Sequence, residues 1–216
     1  IKEYAFRETQ IETITLPEGL VTIEKEAFRE TPLTEITIPG SVNNIGIDVF
    51  WECTAHEKVT FLSSATKTPL QIGRMEGSYN YGPFHDTSLN SIDLNRELIL
   101  VKSDGNIFSQ NEWWHGMFAT AKAKDGDIES VSVKLGSQVE TISDYMFNYL
   151  PIESLTIPGT VKTIGNDVFS GCTKLATLTF EPSPTGEPLT IGYDTNGEDE
   201  NLFQDNNKLT TLNLNR

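Results

Sequence analysis

A tandem-repeat solenoid of short parallel β-strands, one or two per coil, is the fold this sequence predicts, and three observations predict it. The first nine residues, Ile1-Lys2-Glu3-Tyr4-Ala5-Phe6-Arg7-Glu8-Thr9, return 22 positions later as Ile23-Glu24-Lys25-Glu26-Ala27-Phe28-Arg29-Glu30-Thr31. A unit reading apolar-x-x-apolar-x-apolar, often followed by Pro and then by apolar-x-x-Ile-Gly, recurs along the chain and closes each time on a Phe. A longer period of 119 residues overlies it: Ile36-Thr37-Ile38-Pro39-Gly40 returns as Leu155-Thr156-Ile157-Pro158-Gly159, and Asp48-Val49-Phe50 as Asp167-Val168-Phe169. Fixed-period self-similarity outranks local signals, because each unit buries its apolar face only against its neighbours.

The first segment of each coil reads Ile11/Ile14/Leu16, Leu33/Ile36/Ile38, His56/Val59/Phe61, Leu89/Ile92/Leu94, Ile128/Val131/Val133, Ile152/Leu155/Ile157, Leu175/Leu178/Phe180 and Leu209/Leu212/Leu214. The middle residues stand 22, 23, 33, 39, 24, 23 and 34 apart. Their alternation is that of a short strand with one buried face, and they contain too few residues for an ordinary helix. The closing residues are Phe6, Phe28, Phe50, Phe84, Phe118, Phe147, Phe169 and Phe203, each expected on a short helical turn or tight bend. The inward side chains should stack as ladders, one rung per coil, roughly 4.8 Å apart. The organisation expected is a single array over 1–216, about eight coils in two tandem modules of ~119 residues, cut within a repeat at both ends and so exposed to fraying or association there.

The phrases LTEITIPGSVNNIGIDVFWECT (33–54) and IESLTIPGTVKTIGNDVFSGCTKL (152–175) closely resemble the BspA-type leucine-rich repeat of bacterial surface proteins. The likeness is most specific in the short coils and weaker in the long ones. It implies a curved leucine-rich repeat solenoid, secreted or on the cell surface, associated with adhesion to host or microbial proteins, and it implies no enzyme. Adhesion is a family-level association, since a fold does not fix a function.

Composition narrows the field further. Net charge is −15, from 16 basic and 31 acidic side chains, which argues against nucleic acid and against anionic membrane surfaces. No run of about 18 apolar residues exists, so no membrane insertion is expected within this stretch. Cys53 and Cys172 occupy one position in coils four apart, about 19 Å at ~4.8 Å per coil. A disulfide needs Cα atoms within about 7 Å, so both are expected unpaired and buried. No cofactor is implied. Glu129 and Glu153, read as equivalent in adjacent coils, have the ~5 Å spacing a retaining glycosidase needs, but nothing beside them to raise one pKa. His56 stands where Leu175 stands in the second module, and is expected to be a satisfied or partly exposed core histidine.

The candidate ligand-binding residues fall in two groups. Thr37, Thr60, Asp93, Ser132 and Thr156 lie between the two inward residues of their strands and would pave one face with short polar groups. Thr also simply suits strands and pairs well across them. Tyr79, Tyr81, Trp113 and Trp114 lie in the two longest inter-strand segments of the first module, where they suit a protein surface or a sugar ring, or pack over the edge of the core. The functional expectation is a non-catalytic adhesion module. The alternatives are a stalk displaying other domains, or a glycan-binding module using the aromatic segments. The acidic stretch 194–205 loosely resembles a calcium loop with its Gly misplaced, and is read as a solvated loop. Glu97 to Asp127 should be the least regular region, with a local hairpin turning at Asp104-Gly105.

Overall fold

The computed structural model describes residues 1–73, 83–84, 86–101, 117–118, 128–192, 202–203 and 205–215. Most coils contribute two short strands, one to each of two ladders running along the array. The first strands are β2 (Glu35–Ile38), β4 (Lys58–Phe61), β6 (Ser91–Leu94) and β8 (Ser132–Leu135), which pair in that order, then β10 (Ser154–Ile157), β12 (Thr177–Phe180) and β14 (Thr211–Leu214). The second strands are β1 (Thr22–Ile23), β3 (Asn44–Ile45), β5 (Leu70–Gly73) and β7 (Leu98–Val101), then β9 (Thr141–Ile142), β11 (Thr163–Ile164) and β13 (Thr190–Ile191). Every pairing is parallel, as one strand per coil in each ladder demands.

Register follows the repeat. Ile36 pairs with Val59 and then Ile92, and Leu155 with Leu178 and then Leu212. From Ile23 to Phe180 most inward residues are buried almost completely and merge into one apolar core, whereas Leu212 and Leu214 of the last coil are 46% and 64% exposed. The closing phenylalanines form a continuous column from Phe6 to Phe203, with successive ring centroids 5.2–6.3 Å apart and the rings near parallel.

The Phe turns are not helical. Residues two before and two after the Phe take left-handed backbone: Tyr4 and Glu8, Glu26 and Glu30, Asp48 and Glu52, Tyr145 and Tyr149, Asp167 and Gly171. A left-handed residue on either side stops helical propagation. Alternate amides then serve two purposes. Phe6 N–H donates to Ala27 O (2.9 Å) and Glu8 N–H to Arg29 O (2.9 Å) in the next coil, while Arg7 N–H closes a turn on Tyr4 O (3.2 Å). The corner is thus hydrogen-bonded from coil to coil as the strands are.

Three residues beyond the Phe sits a cap. Thr9, Thr31 and Thr87 donate their hydroxyls to the carbonyl of their own Phe at 2.7–2.8 Å. Cys53 and Cys172 instead donate their thiols to the Phe carbonyl of the preceding coil, each at 3.0 Å. Both cysteines are free and buried, as the coil count requires, and burial pushes the Cys172 thiol up to about 12. Thr31→Val keeps the shape and removes the bond to Phe28 O, so it should cost about 1 kcal/mol and lower the melting temperature by roughly 2–4 °C. An unchanged melting curve would count against the capping role.

The Pro-Gly that follows β2 and β10 has a steric reason. A Cβ on Gly40 would stand 2.0 Å from Ser63 O, and one on Gly159 1.9 Å from Pro182 O, so at this corner neighbouring backbones touch. This corner lengthens only modestly, from 7 positions between Ile38 and Ile45 to 11 between Phe61 and Ile72, and most length variation falls elsewhere. From the second strand to the Phe the chain runs from Ile45 to Phe50 in a short coil, but from Ile72 to Phe84, Leu100 to Phe118 and Ile191 to Phe203 in the long ones.

Three expectations are corrected. Ile11 to Leu16 forms no strand. Leu98–Val101 is not an isolated hairpin arm: it pairs in parallel with Leu70–Gly73 as a regular rung, and Asp104-Gly105 lies outside the described residues. The coil after Phe118 is registered two residues later than expected. Val133, not Val131, pairs with Ile92, and Lys134, not Ser132, pairs with Asp93. By that register Ser130 takes the place that Leu89 holds in the coil before, yet it is exposed, while Ile128 and Val131 are buried without standing in the ladder, so the apolar triplet Ile128/Val131/Val133 is a false match. With that register Glu129 is no longer equivalent to Glu153, and its carbonyl instead accepts from Lys174 Nζ.

Candidate binding face

Outward residues of the first strands form two polar rows. One runs Glu35, Lys58, Ser91, Ser132 and then Ser154, Thr177, Thr211; the other runs Thr37, Thr60, Asp93, Lys134 and then Thr156, Thr179, Asn213. Thr37, Thr60, Asp93 and Thr156 therefore stand in one row, whereas Ser132 stands in the other. The rows are knitted by modest contacts: Lys58 to Glu35 at 3.9 Å, Lys134 to Asp93 at 3.8 Å, and Asn213 Nδ2 donating to Thr179 Oγ1 at 3.2 Å. Exposed pairs of this kind contribute little to stability, so these side chains remain available to solvent or a ligand.

The face is interrupted once. Between β8 and β10 the ladder stops, and the two edges border an open cleft of about 790 Å³. Ser132, Lys134, Ser154, Thr156, Thr160 and Glu181 are among the side chains lining it. The cleft brings Ser132 and Thr156 together from the two sides of the break. Sequence reasoning missed it because the misplaced register hid the discontinuity. The correct signal was present: Val139-Glu140-Thr141-Ile142 and Val161-Lys162-Thr163-Ile164 are 22 apart, which fixes Val133 opposite Leu155. Tyr79, Tyr81, Trp113 and Trp114 lie outside the described residues, as does most of the acidic stretch 194–205. Among the described residues no cluster of His, Cys, Asp and Glu could hold a metal ion.

A second polar cluster sits on the Phe-turn corner of the first coils. Glu26, only 6% exposed, accepts from Arg7 Nη1 and Arg29 Nη1, each at 3.1 Å. Arg29 also reaches Glu52 at 3.3 Å, and its guanidinium lies 3.7 Å over the Trp51 ring. Burial and the neighbouring Glu26 hold the Asp48 carboxyl above its usual range. The signal for this cluster was the charge pattern flanking Phe6 and Phe28 at the repeat spacing. Its arginines are engaged mainly by the neighbouring glutamates Glu26, Glu30 and Glu52.

His56 differs from expectation. It is fully buried between the Phe50 and Phe84 rings, and among the described residues neither ring nitrogen meets a hydrogen-bond partner at ordinary geometry. Burial lowers its pKa to about 4, and the nearby Leu33 backbone offsets little of that. No substrate could reach it.

Stacked two-strand coils with an inward Leu/Ile/Val ladder and a Phe column define a leucine-rich repeat array. The chain belongs to the BspA type leucine-rich repeat family, whose repeat region matches residues 1–112 and 126–215 in six copies. Among solved structures it is similar to the pneumococcal vaccine antigen PcpA, at 21% identity over 98% of this chain and 47% of that one, with a TM-score of 0.44. It is similar also to a leucine-rich cell surface protein from Faecalibacterium prausnitzii A2-165, at 18% identity, 95% and 54% coverage and a TM-score of 0.39. A leucine-rich repeat protein from Bacteroides ovatus ATCC 8483 shares 19% identity over 97% of this chain and 74% of its own, with a TM-score of 0.36. The chain spans about half the length of the first two. No curated protein matches it. No helix among the described residues is long and apolar enough to cross a membrane.

Proposed function

We propose that this chain is a non-catalytic binding module of a bacterial surface protein, and that it adheres to a protein partner through the outward face of its first strands, centred on the cleft between β8 and β10. The observation that carries this reading is the break itself. A flat hydroxyl face offers little to grip, but a cleft of about 790 Å³ bordered by Ser132, Ser154 and Thr156 offers concavity, donors and acceptors together. Family membership supports surface exposure and protein recognition as the general role. The excess of acid over base favours a partner with basic patches, since complementary charge speeds encounter.

The test is a protein and glycan array probed with the chain and with a Ser132→Arg/Thr156→Arg variant. Both positions are exposed, so the fold should be retained. Protein signals weakened about tenfold or more in the variant are expected, equivalent to losing ~1.4 kcal/mol. Protein signals indifferent to both substitutions overturn the site. Signals confined to glycans and lost in Trp113→Ala/Trp114→Ala move it to the aromatic segment.

A further inference from the structure

We propose that the array is two semi-rigid blocks joined by a flexible joint at residues 136–140, within the coil that carries β8 and β9. The two ladders do not stop at the same junction. The first-strand ladder ends after β8, while the second-strand ladder ends one coil earlier, after β7, and resumes at β9. One coil therefore gives its first strand to the N-terminal block and its second strand to the C-terminal block. Gly136 N–H donates to Leu94 O at 2.8 Å, which ties it to the first block. Glu140 O accepts from Lys162 N–H at 2.7 Å, which ties it to the second.

The links across the joint are few among the described residues. Val131 N–H reaches Pro151 O at 3.1 Å, Ser143 Oγ donates to Leu98 O at 2.9 Å, Ser64 N–H reaches Gln138 Oε1 at 3.0 Å, Lys174 Nζ donates to Glu129 O, and Lys67 Nζ lies 3.9 Å from Glu140. In a parallel strand alternate residues bond to opposite neighbours. Ser132 and Gly136 donate toward β6, so the amides of Val133 and Leu135 face the cleft, where β10 provides no ladder. What does continue is apolar. Phe118 stacks on Phe147 at 6.2 Å, and Val139 and Met146 are fully buried. Hydrogen bonds are directional and resist a change of angle, whereas apolar contact is non-directional and tolerates small rotations. The joint thus keeps its core and lacks the ladder bonds that stiffen the junctions from β2 to β8 and from β10 to β14.

The test uses spin-label pairs spanning three coil steps, roughly 15 Å on the strand spacing. Glu35→Cys/Ser132→Cys stays within the first block; Lys58→Cys/Ser154→Cys crosses the joint. All four positions are exposed, and the native cysteines are buried away from the label. Dipolar EPR should give a distance distribution roughly twofold broader for the crossing pair. Hydrogen exchange should be at least about tenfold faster at the Val133 and Leu135 amides than at Val59 and Phe61. A matched second set, Thr37→Cys/Lys134→Cys against Thr60→Cys/Thr156→Cys, guards against a label that disturbs folding. Equal widths in both sets, with equal exchange, overturn the joint.

Discussion

Arg96→Met is expected to destabilise the fold by about 3 kcal/mol or more, enough to lower the melting temperature by roughly 10 °C in a domain of this size. Arg96 is 1% exposed and has no acidic partner among the described residues. Its guanidinium donates instead to three backbone carbonyls: Gly40 O at 3.1 Å, Val42 O at 2.8 Å and Thr68 O at 2.7 Å. Those carbonyls belong to the strand-to-strand corners of two preceding coils, so one side chain pins three coils together. Methionine fills the space and leaves the acceptors without donors, which is the costly half of losing a buried hydrogen bond. Lysine at 96 should recover part of the loss, since its ammonium can meet fewer of the three. Urea unfolding of the three proteins checks this. A methionine variant within about 1 kcal/mol of wild type would mean that apolar filling outweighs the lost bonds, as it does for some buried charges.

His56→Leu should act in the opposite direction, raising stability by about 1–2 kcal/mol at neutral pH, because two buried nitrogens without partners are replaced by a side chain the pocket already suits. The same position in the second module is occupied by Leu175, fully buried. The substitution should also change the pH profile. The folded pKa of about 4 lies below the ordinary value of 6.5, so the unfolded chain takes up the proton first as pH falls. Stability is therefore complete above about 6.5 and declines between 6.5 and 4, by up to about 3 kcal/mol from this residue. Subtracting the pH curves of wild type and variant isolates it. A difference that stays flat from pH 7 to 4 would show that the imidazole is not held neutral.

The ladders and the Phe column were legible because the repeat writes the same inward residues at the same spacing, and burial follows directly. The chain after Phe118 was not, because an apolar triplet matched the template two residues out of place while the exposed Ser130 stands where other coils carry a buried first residue. Arg96 shows a different limit. Leu94-Asn95-Arg96 marks the long period in the sequence, yet nothing local says that an arginine there turns inward to carbonyls of earlier coils. His56 was identified as a core rung, but whether its nitrogens find partners depends on the neighbouring rings. The polar rows of the face were readable rung by rung, except at Ser132. The cleft was not, since it arises from a pairing that is missing.

The corner between the second strand and the Phe is the one place where coil length changes most, while the Pro-Gly corner is held by backbone contact and the Phe column keeps its step. A unit of this kind separates what must be copied from what can differ. Insertions fall mainly at this corner, so an array can diversify its surface by lengthening individual coils and still stack in phase. Exchange of whole coils between arrays is equally compatible with the stack, provided each brings its Phe.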